Sequence, residues 1–283
     1  MEPGDQSRVK PNDESLVESA RLGDRAALEA LIARHQSRVY RFGLKMCRNP
    51  DDAQDILQDT LLAVARNVKD FRGASSVSTW LYTIARSFCI KRRRRSKFAP
   101  EQEQPLDGGP DAEAAQVMDP GRRPDESLAG RQIEAALEEA IGALDPMYRE
   151  VLVLRDVEGL TAPEVGEILG LSVEAVKSRL HRARVAVRER VAPLLGVPAP
   201  AAPLAARCPD VLSLFSRHLE GEISSDICAE MERHLADCPG CRSRCDSLQR
   251  MLVLCRSSPA PEVPAPVQRS VREALRRFLE TRP

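Results

Sequence analysis

Two stretches of this 283-residue chain have too little apolar character to join a core, and they cut the rest into blocks too small for one large domain. Residues 98–126, FAPEQEQPLDGGPDAEAAQVMDPGRRPDE, mix Pro, Gly and acid with no apolar period, the signature of a linker. Residues 194–206, LLGVPAPAAPLAA, are rich in Pro and Ala and should run semi-extended. The blocks left over are 13–97, 127–193 and 207–256, followed by a Pro-rich hinge and an amphipathic tail at 257–283. Only 4% of the residues are aromatic and 30% are charged, and the apolar share leans on Ala, Leu and Val. That is the palette of small helical bundles. No β-alternating run stands out, so the expected fold class is all-α.

Acidic and basic residues balance at 42 each, so net charge is uninformative, but local charge is not. Arg86, Lys91, Arg92, Arg93, Arg94, Arg95 and Lys97 crowd one acid-free segment. Lys177, Arg179, Arg182, Arg184, Arg188 and Arg190 crowd another, against Glu189 alone. Segregated basic blocks are the electrostatic footprint of nucleic-acid binding. The first fifteen residues have no apolar core of a signal peptide and no stretch approaches a membrane span, so a cytoplasmic, membrane-free protein is expected. Of eight cysteines, six (208, 228, 238, 241, 245, 255) lie in the last third. In a reducing compartment such clustering favours metal ligation or redox chemistry over structural disulfides.

The segment TAPEVGEILGLSVEAVKSRLHRAR (161–184) reads as a helix-turn-helix. Thr161 is an N-cap with Glu164 completing a capping box. Val165, Ile168 and Leu169 form an apolar face, and Gly170 ends the helix in the left-handed conformation. Ser172 caps a second helix, with Val173, Val176 and Leu180 inward and Lys177, Ser178, Arg179, His181 and Arg182 on the other side. Such a helix would lie in the major groove with its early side chains on base edges and later arginines, Arg184 among them, on phosphates. A solvated basic helix on an ordinary bundle is the plainer alternative. Together with residues 136–160 ahead of it, the segment resembles region 4 of extracytoplasmic-function (ECF) sigma factors. The resemblance rests on Leu144, Pro146, Arg149, Leu152, Leu154, Gly159, Glu164, Leu171, Ser172, Val176, Lys177, Ser178, Arg179, Arg182 and Arg184. It implies contact with the −35 promoter element.

In NPDDAQDILQDTLLAVARNVKDFRG (49–73), Asp52, Asp55 and Gln58, with Asp59 beside them, form an acidic–amide stripe, while Leu57, Leu61, Leu62 and Val64 would face a core. The stripe alone fits a solvated face equally well. Downstream, SVSTWLYTIARSFCIKRRRRSK (76–97) carries the chain's one tryptophan, Trp80, ahead of the basic run. Together these stretches make residues 13–97 resemble region 2 of the same family. That implies a clamp onto core RNA polymerase through Asp52, Asp55, Gln58 and Asp59, at the β′ clamp, with the β flap meeting region 4. It also implies −10 promoter DNA held by Trp80, Arg86, Lys91, Arg92 and Arg93. Opening a duplex calls for aromatic stacking surfaces and backbone-neutralising cations together. Trp80 at helical spacing from Leu81 and Ile84 also suits a core position. Ser87 and Val77 depart from the family's Asn and Phe, which bears on −10 specificity.

The last block centres on CAEMERHLADCPGCRSRCDSLQRMLVLC (228–255). A helix starting near Ser225 sets His234 one turn before Cys238, and the Pro239-Gly240 turn brings Cys241 back. A fourth ligand from Cys208 or Cys228 would complete a tetrahedral Zn site. Cys245, one turn beyond Cys241, is close enough to join or replace a ligand. Cys255 lies ten residues on, roughly 15 Å along a helix, and suits a core thiol. This block resembles the zinc-binding anti-sigma module, and the whole chain resembles the CorE-type sigma factors, whose Cys-rich tails sense copper, or zinc and cadmium. The resemblance implies a thiophilic metal (Zn, Cu or Cd) and regulation in cis, with a separate anti-sigma factor unnecessary. The tail helix, with Val271, Leu275, Phe278 and Leu279 apolar and Arg272, Arg276 and Arg277 basic, fits a docking surface or a helix packed on the module.

The reading that follows is a DNA- and polymerase-binding initiation factor rather than an enzyme, with no phosphate-binding loop, dinucleotide fingerprint or nucleophile–base set in the chain. A one-component metalloregulator would leave residues 13–97 unexplained. A constitutive sigma factor with a structural zinc module is the other alternative.

Overall fold

A computed structural model describes residues 12–98, 124–197 and 208–280, and most of both spacers lies outside these residues. Every regular element among the described residues is helical: α1 (Asp13–Arg21), α2 (Arg25–Cys47), α3 (Pro50–Asn67), α4 (Val77–Phe98), α5 (Pro124–Gly142), α6 (Pro146–Leu152), α7 (Ala162–Leu169), α8 (Val173–Val191), α9 (Val211–Leu219), α10 (Ser225–Asp237), α11 (Pro239–Ser257) and α12 (Ala265–Glu280). Side-chain caps fix the early boundaries. Asn12 accepts from the Ser15 amide, Asp24 from Ala26 and Ala27, and Asn49 from Asp51 and Asp52 just ahead of Pro50. α6 runs on into a π-helical turn over Val153–Val157.

The chain packs as two compact units. The first gathers, among the described residues, 12–90, 150–178 and 258–280. Its core is the packing of α2 against α1 and α3, with Leu31, Val39, Phe42, Ile56, Leu57, Leu61 and Val64 buried. Phe42 meets Tyr82 of α4 edge-on at 5.4 Å between ring centroids. Leu57, Leu61 and Val64 are core residues as their spacing predicts, whereas Leu62 is only half-buried.

The same unit holds the first helix and the turn of the helix-turn-helix. The Thr161 hydroxyl accepts from the Glu164 amide while the Glu164 carboxylate accepts from the Thr161 amide, so the expected capping box is present. Gly170 ends α7 at φ +67, and the Ser172 hydroxyl accepts from the Ala175 amide at the start of α8. The turn closes tightly because Gly166 has no side chain: a Cβ there would sit 2.8 Å from the Leu171 carbonyl oxygen.

The second unit holds residues 91–98, 124–149, 179–197 and 208–257. Its Cys-rich part is a three-helix arrangement of α9, α10 and α11. Val211, Cys241 and Cys245 are buried at its centre, with Cys208, Phe215, Leu235 and Cys238 against them. Leu248, Met251, Leu252 and Cys255 continue the buried stripe of α11, so Cys255 is the core thiol its position suggests.

Candidate functional site

In the second unit, the ligand atoms of Cys208, His234, Cys238 and Cys241 all lie within 4.8 Å of one another. Three local structures make this convergence. Cys208 precedes α9, His234 sits in the last turn of α10, and Cys238 caps that helix in extended conformation so that Cys241 returns in the first turn of α11. The Cys208 and Cys238 sulfurs are 3.9 Å apart. A zinc tetrahedron with bonds of about 2.3 Å has edges of about 3.7 Å, so the set is near closure. His234 Nε2 is buried and has no hydrogen-bond partner among the described residues. A buried nitrogen without a partner is costly, and a cation at the centre of the four would remove that cost. The backbone N–H of Cys241 directed at the Cys238 sulfur holds that thiol below its ordinary value. Burial, with the neighbouring sulfurs adding to it, pushes the Cys241 thiol up to about 12. The donor set, one imidazole and three thiols, suits a thiophilic ion such as Zn.

Two cysteines expected as ligands stand outside this set. Cys228 is six residues before His234 on α10, which turns it a third of a revolution away, and its sulfur lies 3.1 Å from His218 Nδ1 instead. Cys245 does follow Cys241 by one turn, but its sulfur is buried 3.9 Å from the Val211 carbonyl oxygen, and burial pushes its thiol up to about 11. Packing, not ligation, occupies it. Of the two candidates for a fourth position, Cys208 is the one that joins His234, Cys238 and Cys241.

Along α8, Ser172, Ser178 and Arg182 are exposed, and Lys177 and Arg179 are half-buried. Arg184, expected to reach a phosphate, is instead 1% exposed. Within the second unit its guanidinium pairs with Glu220, just after α9, at 3.1 Å. The reason is register: two residues after Arg182, Arg184 lies on the face shared with Leu180 and Val187, both fully buried. Two further contacts join the same faces, His181 Nδ1 to Ser216 Oγ at 3.2 Å and Arg188 Nε donating to Ser247 Oγ at 3.0 Å. The distal half of α8 is thus covered by α9 and α11.

In the first unit, Asp55 and Asp59 are exposed on α3, with Asp52 and Gln58 half-buried. On α4, Trp80 is half-buried with Phe71 at 4.8 Å between ring centroids, so one face of its ring is already taken. Lys91 and Arg93 are exposed and Arg92 is half-buried. Arg86, expected on DNA, donates to the Glu150 carboxylate at 3.0 Å. A buried charge cluster that periodicity does not reveal centres on Glu158. Its side chain is fully buried and accepts from Arg41 at 2.8 Å, Arg38 at 3.4 Å and the Tyr82 hydroxyl at 2.6 Å. Burial and the adjacent Glu158 charge raise the Tyr82 phenol well above its ordinary value. The signal in the sequence is faint: two acids, Asp156 and Glu158, between an apolar run and Gly159.

Comparison with known proteins places the same blocks. The family described as Sigma-70 region 2 matches residues 31–98, Sigma-70 region 4 matches 134–187, and a zinc-finger family matches 208–242. The ECF RNA polymerase sigma factor SigE of Mycolicibacterium smegmatis is 30% identical over 196 residues, covering 66% of this chain and 72% of that relative. The ECF RNA polymerase sigma factor SigM of Mycobacterium tuberculosis (strain H37Rv) is 31% identical over 189 residues, covering 67% of this chain and 87% of that relative. Among solved structures, CnrH in complex with the cytosolic domain of CnrY is 28% identical, covering 62% of this chain and 95% of that chain at a TM-score of 0.44. Among the described residues no helix is long and apolar enough to cross a membrane.

Proposed function

Since the chain belongs to the ECF RNA polymerase sigma factors, we propose that it directs core polymerase to promoters under the control of its own metal-binding C-terminal module. In this reading α3 offers Asp52, Asp55, Gln58 and Asp59 to the polymerase β′ clamp, and region 4 meets the β flap. Helix α8 reads the −35 element from Ser172 to Arg182, and Lys91, Arg92 and Arg93 hold −10 DNA, with Trp80 stacking on an opened base through its free face. Zinc, or copper or cadmium in its place, is held by Cys208, His234, Cys238 and Cys241.

The observation that carries cis control is the Arg184–Glu220 pair. A cation of the DNA-reading helix is buried against the Cys-rich module, so a form that uses Arg184 on phosphate must first release the module. Tethering gives the module an effective concentration near millimolar, so modest contacts suffice to hold it. Metal shifts this equilibrium only if docked and released states differ in affinity for the ion. The test is transcription in vitro from a cognate promoter with core polymerase. The full chain, a Cys238→Ser/Cys241→Ser variant and a chain ending at residue 206 would be run with and without Zn, Cu or Cd. Metal-dependent output from the full chain, with metal-independent output from the other two, is the expected result. Equal output from all three under every condition would leave the module purely structural.

A further inference from the structure

Helix α12 has an apolar stripe at Val267, Val271 and Leu275, all buried, and exposed arginines at 269, 272, 276 and 277 on the remaining surface. The structure shows what covers the stripe: within the first unit α12 packs along α3. Its contacts run the length of the helix. Near its start the Ser270 hydroxyl donates to the Gln58 side-chain oxygen at 3.2 Å. Near its end the Arg66 guanidinium lies 5.9 Å from the Phe278 ring centroid, and Arg25 donates to the Leu279 carbonyl at 3.1 Å. Gln58 and Arg66 are eight residues apart on α3, so they mark one face of that helix, with Leu62 midway between them. This explains why Leu62 departs from the core expected of it: its position belongs to the face α12 lies on. The approach is further held by the hinge, where Arg41 donates to the Ser258 carbonyl at 2.9 Å and Val263 is buried.

We propose that α12 is an internal competitor of core polymerase, seated on the surface of α3 that runs from Gln58 through Leu62 to Arg66. The inference rests on the reading of α3 as the polymerase-binding helix. Gln58 belongs to the acidic–amide stripe, and a partner that engages Asp55, Gln58 and Asp59 across the helix meets α12 beside them. The two occupants exclude one another at Gln58. The exposed arginines of α12 also place positive charge alongside the acids of α3, which lowers the attraction that the acidic stripe exerts on a basic partner surface. The apparent affinity for polymerase is then the intrinsic affinity scaled by the fraction of chains with α12 released. A tethered helix held by three buried aliphatic side chains keeps that fraction small.

The experiment measures the affinity of core polymerase for three versions of the metal-loaded chain: the full sequence, a chain ending at Glu262, and the full sequence with Val271→Asp/Leu275→Asp. Circular dichroism and zinc content check that the module and the sigma helices stay folded, and the point variant serves if the shortened chain does not. Both altered chains are expected to bind core polymerase about tenfold or more tightly than the full chain. A synthetic peptide of residues 263–283 should weaken binding by the shortened chain. If all three chains bind equally, the competitor role is overturned while the polymerase-binding role of α3 stands. If none binds, that role falls and the competitor role with it.

Discussion

At the scale of residues, the metal site shows how far spacing carries a reading and where it stops. His234, Cys238 and Cys241 come together because a helix end, a Pro-Gly turn and a helix start repeat a local geometry that depends only on nearby sequence. The choice among Cys208, Cys228 and Cys245 depends on where α9 docks, which no local pattern encodes. Once it docks, the Cys208 sulfur is 3.9 Å from Cys238, Cys228 faces His218, and Cys245 faces Val211. Zinc measured by competition with a chromogenic chelator should therefore fall from one equivalent to well below one in His234→Ala or Cys208→Ser. It should stay near one in Cys228→Ser and Cys245→Ser. Loss of zinc in Cys228→Ser with retention in Cys208→Ser would assign the fourth ligand the other way. Cys245→Ser should instead cost stability, about 1–3 kcal/mol, because it puts a hydroxyl into an apolar centre.

At the scale of elements, helix ends and apolar faces were legible and the partners of those faces were not. Thr161, Glu164, Gly170 and Ser172 perform the capping and turning roles that their side chains dictate. Val176 and Leu180 are fully buried as their spacing predicts. The burial of Arg184 is not legible because a long amphipathic cation serves either a solvated face or a buried pair, and the deciding partner, Glu220, is 36 residues away. The role of Glu158 in the packing is hidden for the same reason, its partners lying 76 to 120 residues off. Leu62 fell short of the core because α12, more than 200 residues away in the chain, defines its surroundings. One element-scale feature gives a sharp test of the turn. Gly166→Ala would bring a Cβ to 2.8 Å from the Leu171 carbonyl oxygen, backbone that cannot swing aside. The expected cost is about 1–3 kcal/mol of stability, with promoter binding by the holoenzyme lost in parallel as Ser172 and the start of α8 are displaced. By contrast, Arg179→Ala should leave the melting temperature unchanged and weaken binding to a cognate −35 sequence by about 1–3 kcal/mol if the guanidinium reads a base. Normal promoter affinity for both variants would remove α8 as the reader.

At the scale of the whole molecule, several contacts within the first unit tie residues matched to region 2 to residues matched to region 4. Glu158 accepts from Arg38, Arg41 and Tyr82, Arg86 pairs with Glu150, and the Ser76 hydroxyl donates to Glu164 at 2.9 Å. Arg86 donates through Nε to Glu150, so a phosphate at Arg86 would compete with this pair for the guanidinium. Glu158 is the centre of these contacts. Its carboxylate is the shared acceptor of two guanidiniums and a phenol, all removed from most of the solvent. Taking away one partner of a buried charge cluster costs about 3–5 kcal/mol, because the remaining charges lose their compensation. In Glu158→Ala that cost would fall on the arrangement that makes these contacts, since Arg38 and Arg41 would regain water in any form in which the region 4 residues had moved off. The variant should therefore show faster amide exchange in α2 and α4. Its holoenzyme should also form promoter complexes more readily than the unaltered chain, at the same concentration of folded protein. Glu158→Gln, which keeps an acceptor oxygen but no charge, should fall between the two. A lowered melting temperature with unaltered exchange in α4 and unaltered promoter binding would show instead that the cluster only supports the fold. The alanine variant separates the alternatives because a latch and a strut respond oppositely in function: releasing a latch raises DNA binding, and removing a strut lowers it or leaves it alone.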